Sequence, residues 1–191
     1  MARLFLAINL PREIKDKLAH LQQELAHTRA QVRWVRPEGI HLTLKFFGEV
    51  PEEMIDTLAR LAQETVVQKA CGSLRFRVKG LGTFPSLRRP RVIWVGLEGD
   101  LSKLLSLQQA LEEAFAKLGF VPEDRPFVPH LTLGRVKSGK GLDQLVSIIK
   151  RYQAEPFALP EEFEVSEIIL YQSILKPSGA VYTPLRRIPL H

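Results

Sequence analysis

The tetrapeptide His-Leu-Thr-Leu occurs twice, at residues 41–44 and 130–133, and the two copies stand 89 positions apart in a chain of 191. Phe5 and Trp94 sit at the same offset in two apolar stretches, and so do Phe76 and Val165 in another pair. One spacing that holds across three segments predicts a duplicated unit of strand, helix, strand, helix, strand. Two copies are too few for a solenoid, so they are expected to face each other as two lobes. In a strand, residues two apart share a face. His41 therefore lies beside Thr43 and His130 beside Thr132, with the leucines turned inward.

The same order of elements reads off each half. Residues 3–10 form a strand, and Pro11 opens a helix with a stripe of Ile14, Leu18, Leu21 and Leu25. Residues 33–39 form a loop or short strand with Pro37 and Gly39 as breakers, before the first motif strand, 41–47, which ends at Gly48. Pro51 opens a second helix carrying Ile55, Leu58, Ala62 and Val66, residues 74–81 form a strand, and 83–90 form a loop. In the second half, 92–97 is a strand and Asp100 the N-cap of a helix with Leu104, Leu111, Phe115 and Leu118 on one face. After the loop 122–129 come the second motif strand, 130–136, and a helix with Leu142, Leu145, Ile149 and Tyr152. Residues 163–173 read as one strand, and 180–188 as its hairpin partner around Pro177-Ser178-Gly179. The expected class is α+β: one two-lobed domain over 1–191, with repeats at about 1–84 and 91–175 and a C-terminal strand at 180–188. Each lobe is expected to be an antiparallel sheet with two helices, and the two H-x-T-x strands to line a central cleft.

Apolar and charged contents of 45% and 25% are those of an ordinary globular protein. No apolar run approaches the roughly 20 residues that cross a bilayer, and residues 1–11 are too short for a signal peptide. The single cysteine, Cys71, excludes an intramolecular disulfide and suits a reducing compartment. The expectation is a cytoplasmic chain with no membrane partner. A net charge of +6 favours polyanions such as RNA, or phosphorylated ligands.

The motif residues suit displacement at phosphorus. An imidazole with an ordinary pKa near 6.5 is neutral or protonated around neutral pH, so one copy can take a proton from the incoming oxygen while the other gives one to the leaving oxygen. Hydroxyls of Thr43 and Thr132 would hold the non-bridging oxygens. The residues themselves leave open which histidine gives and which takes. Metal chemistry lacks its pattern: neither copy has the His-x-x-x-His or Cys-x-x-Cys spacing of a zinc site, and His20, His27 and His191 do not supply it. There is no Gly-x-Ser-x-Gly elbow, and Gly80-Leu81-Gly82 lacks the Lys-Ser/Thr of a phosphate loop. By strand parity Lys45 and Phe47 join the His41 face, to meet phosphate and stack on a base. Arg125, in the loop entering the second motif, is a candidate phosphate clamp. Arg135 has the wrong parity and needs a bulge to join His130. Arg88, Arg89 and Arg91 cluster as candidate contacts to an RNA backbone, with Tyr171 and Ser173 placed at the cleft rim.

These residues carry a resemblance. The segments Gly39-Ile40-His41-Leu42-Thr43-Leu44-Lys45-Phe46-Phe47-Gly48-Glu49 and Arg125-Pro126-Phe127-Val128-Pro129-His130-Leu131-Thr132-Leu133-Gly134-Arg135, in a duplicated α/β chain of this length, resemble the 2H phosphoesterase superfamily. Within it, the chain is most similar to the RNA 2′,3′-cyclic phosphodiesterases, also called 2′-5′ RNA ligases. The resemblance implies hydrolysis of a terminal 2′,3′-cyclic phosphate on RNA to a 2′-phosphomonoester, without metal or other cofactor. It assigns His41 as proton donor and His130 as proton acceptor, and it allows the reverse reaction, 2′-5′ ligation. The implied partners are RNA ends, tRNA fragments among them, and the protein is expected to act as a monomer with no obligate protein partner. Two other readings stand beside it: a nucleotide- or RNA-binding module without turnover, and the same chemistry on a small nucleotide.

Overall fold

The alternation in residues 3–10 becomes β1 (Ala2–Asn9), with Leu4, Leu6 and Ile8 buried on one face and Phe5 and Ala7 on the other. The computed structural model describes all 191 residues. After β1 come α1 (Arg12–Ala26), the short β2 (Val32–Trp34), β3 (His41–Val50), α2 (Ile55–Lys69), β4 (Leu74–Pro85) and β5 (Pro90–Gly99). The chain continues through α3 (Leu101–Ala116), β6 (Leu131–Val136), α4 (Leu142–Ala154), β7 (Ala158–Val165), β8 (Glu167–Lys176) and β9 (Gly179–Pro189). Each helix buries the stripe its spacing dictates, as with Ile14, Leu18, Leu21 and Leu25 of α1. Full burial of such side chains contributes about 1.5–3 kcal/mol each. One continuous core joins all four helices to both sheets.

Three local expectations shift. Helix α2 begins at Ile55, after a 3₁₀ turn over Glu52–Met54, rather than at Pro51. Asp100 occupies the N-cap position of α3, but its carboxylate accepts the backbone N–H of Arg75 (2.8 Å) and so ties the helix to β4 instead of capping it. Leu118 lies beyond the end of α3 and is exposed.

Two antiparallel sheets form, ordered β3-β1-β8-β9 and β2-β6-β5-β4-β7. Each takes strands from both halves of the chain. Residues 163–173 are therefore not one strand: the chain leaves β7, in the second sheet, and enters β8, in the first, with Ser166 between them. Val165 is not the counterpart of Phe76 but its neighbour, in the strand paired with Phe76's own. The true counterparts are β4 and β8. Strand β8 pairs with β1 through Phe5↔Tyr171 and Arg3↔Ser173, and β4 pairs with β5 through Trp94↔Gly82 and Val92↔Phe84. Every residue in the second set lies 89 positions from its equivalent in the first. The duplication is thus built by exchanging third strands between halves, which interlocks the two lobes.

Both motif strands carry a β-bulge at the same place. In β3 the ladder to β1 runs Ala7↔Thr43 and then Leu6↔Lys45, skipping Leu44; in β6 the ladder to β5 runs Trp94↔Thr132 and then Ile93↔Gly134, skipping Leu133. A bulged residue disrupts the local ladder and turns the side chains that follow it to the other face. Here the Leu44 and Leu133 carbonyls are met by buried glutamines from helices of the opposite half. Gln108 of α3 donates to the Leu44 carbonyl (3.2 Å), and Gln22 of α1 donates to the Leu133 carbonyl (2.9 Å) and to that of Val35 (2.7 Å).

Removing the Gln108 amide takes the side-chain donor from the Leu44 carbonyl, and removing that of Gln22 takes one from the Val35 carbonyl while Leu133 keeps the Val35 N–H (2.9 Å); an unmet buried carbonyl costs about 1–3 kcal/mol. Gln22→Ala and Gln108→Ala should each lower the unfolding free energy by up to that amount, read as a lower denaturant midpoint at unchanged slope in equilibrium unfolding. Wild-type midpoints in both variants would show the two braces to be idle.

Candidate active site

Strand β3 presents His41 on the face of the first sheet that is turned away from the helices. A separate small cluster of Phe5, Ala7, Ile169 and Tyr171, with Tyr182 packed against it, covers that face. The imidazole stacks on Phe5 (4.9 Å between centroids, 26° between planes) and meets the edge of Tyr182 (5.1 Å, 90°). Its Nδ1 lies 2.6 Å from the Gly39 carbonyl. A carbonyl oxygen only accepts, so Nδ1 carries the hydrogen, and in the neutral ring Nε2 keeps a free lone pair. Gly39 has a second role, because a Cβ there would come within 3.1 Å of the Tyr182 ring.

His130, immediately before β6, repeats the arrangement. Its Nδ1 lies 2.7 Å from the Val128 carbonyl, two residues back like Gly39 from His41, and its ring meets the Phe84 ring edge-on at 5.1 Å. Phe84 in turn stacks on Trp94 (5.0 Å, 28°). The indole rests on Gly82, where a Cβ would lie 2.5 Å from a ring carbon, so only glycine fits beneath it. Strands β3 and β6, which carry the two motifs, approach to within 8 Å between Cα atoms. Thr43 stands opposite Ala7 and Thr132 opposite Trp94 in their ladders, each on the open face of its sheet.

The electrostatic setting of His41 is marked. Burial among aromatic rings pushes its pKa down to about 4; the bond to Gly39 works against this, and the nearby Lys15 ammonium adds to it. His41 is therefore neutral at pH 7. Lys15 donates to the Glu38 carbonyl (2.9 Å), and its own pKa is lowered by burial.

The bulges decide which other side chains join the histidines. Lys45 and Phe47 do not, contrary to simple parity. Past Leu44 the alternation reverses: Lys45 turns inward, 4% exposed, to an ion pair with Glu112 (2.6 Å) and a bond to the Val121 carbonyl (3.1 Å). Phe47, skipped by a second bulge, packs edge-on against Phe115 and Phe120 in the core. Phe46 takes their place on the open face, 45% exposed, 6.4 Å from Phe5 and with the Arg3 guanidinium 5.2 Å above its ring. In β6 the same device supplies the bulge that Arg135 needs. Arg135 pairs with Val92, two residues from Trp94, so it shares the face of Thr132. Arg33 of β2 stands directly opposite it, and neither guanidinium has an ion-pair partner within 4 Å. Like charges placed opposite each other in a sheet repel, and an anion between them relieves that. Arg125 is exposed on its loop. Tyr171 and Ser173 do lie on the open face, opposite Phe5 and Arg3.

Phe5, Phe46, Phe84, Trp94 and Tyr182 are the site residues that motif reading missed. For Phe5 and Trp94 the signal was present, since they sit at the duplication offset on the non-core parity of their strands. Tyr182 had none, being placed by the β8–β9 hairpin. Arg36 donates to the Ser178 carbonyl at the tip of that hairpin, which ties the β2 side to β9.

The profile of the LigT-like phosphoesterase family matches the chain twice, over residues 8–94 and 95–182. The RNA 2′,3′-cyclic phosphodiesterase of Methanothermobacter thermautotrophicus is 37% identical over 96% of each chain, and that of Thermotoga maritima is 34% identical over 96% of this chain and 92% of its own. Among solved structures, E. coli LigT complexed with 3′-AMP superposes with a TM-score of 0.79 at 29% identity, covering 99% of this chain and 98% of that one. Two family matches in tandem, each spanning one histidine motif, place this chain in the LigT-like phosphoesterase family, within the 2H superfamily.

Proposed function

We propose that the protein hydrolyses 2′,3′-cyclic phosphate ends of RNA to 2′-phosphomonoesters, with His41 and His130 as the proton-transfer pair. The observation that carries this reading is the matched tethering of the two imidazoles. Each Nδ1–H is held by the carbonyl two residues back, which leaves each Nε2 free to exchange a proton with a ligand. The names of the relatives support the substrate class, and the net charge of +6 agrees with a polyanion. In the proposed reaction His130 Nε2 takes a proton from water as its oxygen attacks phosphorus. The P–O3′ bond opposite breaks, and His41 Nε2–H protonates the departing 3′ oxygen. Thr43, Thr132 and Arg135 hold the non-bridging oxygens, while Phe46 offers an aromatic surface to the terminal base.

For His41 to give a proton it must first acquire one. A phosphate charge about 4 Å away contributes roughly 4 kcal/mol at an effective dielectric of about 20, and one pKa unit is about 1.4 kcal/mol. Binding of the cyclic phosphate thus raises the pKa of His41 and couples binding to proton uptake. The neutral state of His41 favours a second reading, with the roles exchanged and His41 as the base.

Turnover needs no metal on this proposal. No group of three or more His, Cys, Asp or Glu side chains is gathered to hold one, and both proton transfers are assigned to imidazoles. By microscopic reversibility the same site would join a 5′-hydroxyl to the cyclic phosphate in a 2′-5′ linkage, and water at its bulk concentration favours hydrolysis. No helix is long and apolar enough to cross a membrane. The proposed setting is a monomer in the cytoplasm, with Cys71 as a free thiol.

His41→Ala and His130→Ala should each lower kcat on a cyclic-phosphate oligoribonucleotide by about 10²–10⁴-fold with wild-type unfolding curves. Full activity in either variant contradicts the assignment. The pH dependence separates the two readings: if His41 is the donor, kcat/KM falls with rising pH above about 4 while kcat holds to higher pH. If His41 is the base, kcat/KM instead rises through that same value. Activity after exhaustive chelation should equal that before; a loss restored by a divalent cation contradicts the metal-free step.

A further inference from the structure

The arginine cluster at 88, 89 and 91 plays no part in the chemistry above, and it lies at the tip of the β4–β5 hairpin. That tip and the start of α4 enclose a groove of about 460 Å³, within the range of nucleotide-sized ligand sites. Leu87, Leu142 and Val146 are its apolar lining residues, and Arg88 and Lys150 are its cations. Neither cation belongs to an ion pair, and Asp143 is the single carboxylate in the lining, so the groove is net positive.

The groove and the motif site share the β4–β5 hairpin, the groove on the side of α4 and Phe84 and Trp94 on the open face. Pro90, in its lining, is two residues from Val92, the ladder partner of Arg135. On the other strand, Phe84 touches His130, and Arg88 follows it four residues later, at most about 13 Å along an extended chain. A strand of RNA whose last phosphate sits between the histidines has Arg135 beside its path and this groove within reach of the nucleotides before it.

We propose that the groove is a second subsite for the RNA strand, binding the backbone phosphate of a nucleotide upstream of the reacting end through Arg88 and Lys150, with its sugar against Leu87 and Leu142. This rests on the RNA phosphodiesterase reading and adds a selectivity to it. The subsite is used by an oligoribonucleotide and cannot be used by a cyclic mononucleotide, which ends before reaching it. The groove therefore contributes to substrate binding and not to the chemical step.

The test compares wild type with R88A/K150A on two substrates, a short oligoribonucleotide ending in 2′,3′-cyclic phosphate and a 2′,3′-cyclic mononucleotide. The variant should raise KM for the oligoribonucleotide about tenfold and reduce the salt dependence of its log–log plot by about 0.7, the contribution of one single-strand phosphate contact. Its kcat on that substrate and both constants on the mononucleotide should stay at wild-type values. An unchanged oligoribonucleotide KM, or an equal rise on both substrates, overturns the subsite. Binding of the same oligoribonucleotide, fluorescently labelled, is followed by anisotropy in parallel. If wild type hydrolyses neither substrate, the phosphodiesterase reading fails, and the subsite is judged by whether R88A/K150A weakens and flattens that binding; equal binding overturns it.

Discussion

Each motif strand carries a bulge one residue past its threonine, and much of the site follows from where the bulged residue goes. That residue is the second leucine of His-Leu-Thr-Leu, and its carbonyl is held by a glutamine from a helix of the other half of the chain. Before the bulge, the histidine and threonine face outward. After it, the parity resets, so that Phe46 and Arg135 reach the open faces while Lys45 is drawn inside to Glu112. Without the bulge the first sheet would offer a lysine where it now offers an aromatic ring, and the second would lose its guanidinium from the face of Thr132. A buried ammonium is costly unless paired, and Glu112 supplies the partner. Glu112 also accepts the backbone N–H of Glu123 (3.0 Å), so the same ion pair secures the loop that leads to the second histidine.

The exchange of third strands places the two motifs in related but unequal settings. Strand β8 lays Tyr171 against Phe5 beneath His41, whereas its counterpart β4 places Gly82 there and lets Trp94 lie down over it. His41 is thereby enclosed in stacked rings and kept neutral, and His130 meets one ring edge at the end of a loop. Duplication alone yields two identical imidazoles. On the proposed reading, the burial of His41 works against its role as donor, and the charge of the bound phosphate offsets it.

Much of this architecture was legible in the sequence because a duplication is a long-range signal: the offset of Phe5 and Trp94 tied distant strands together before any contact was known. The α+β class, the helix stripes and the pairing of His with Thr all followed from short-period alternation. The bulges were not legible, since register is set between strands and a skipped residue leaves no local mark. Lys45 and Phe47 were misplaced for that reason alone, and Arg135 depended on the same unseen step. The break at Ser166 was hidden in an alternating run, 163–173, that satisfies either sheet. Tyr182 reaches His41 only through the hairpin, from far along the chain.

The central claim is that both tethered imidazoles work on one cyclic phosphate, with the 3′ oxygen as the leaving group. The most direct measurement is to incubate an oligoribonucleotide ending in 2′,3′-cyclic phosphate with wild type, His41→Ala and His130→Ala, and to identify the terminal ester by chromatography against both monoester standards. The account predicts a 2′-monoester from wild type and unreacted cyclic end from each variant. A 3′-monoester from wild type, or a 2′-monoester formed at wild-type rate by either variant, would contradict it.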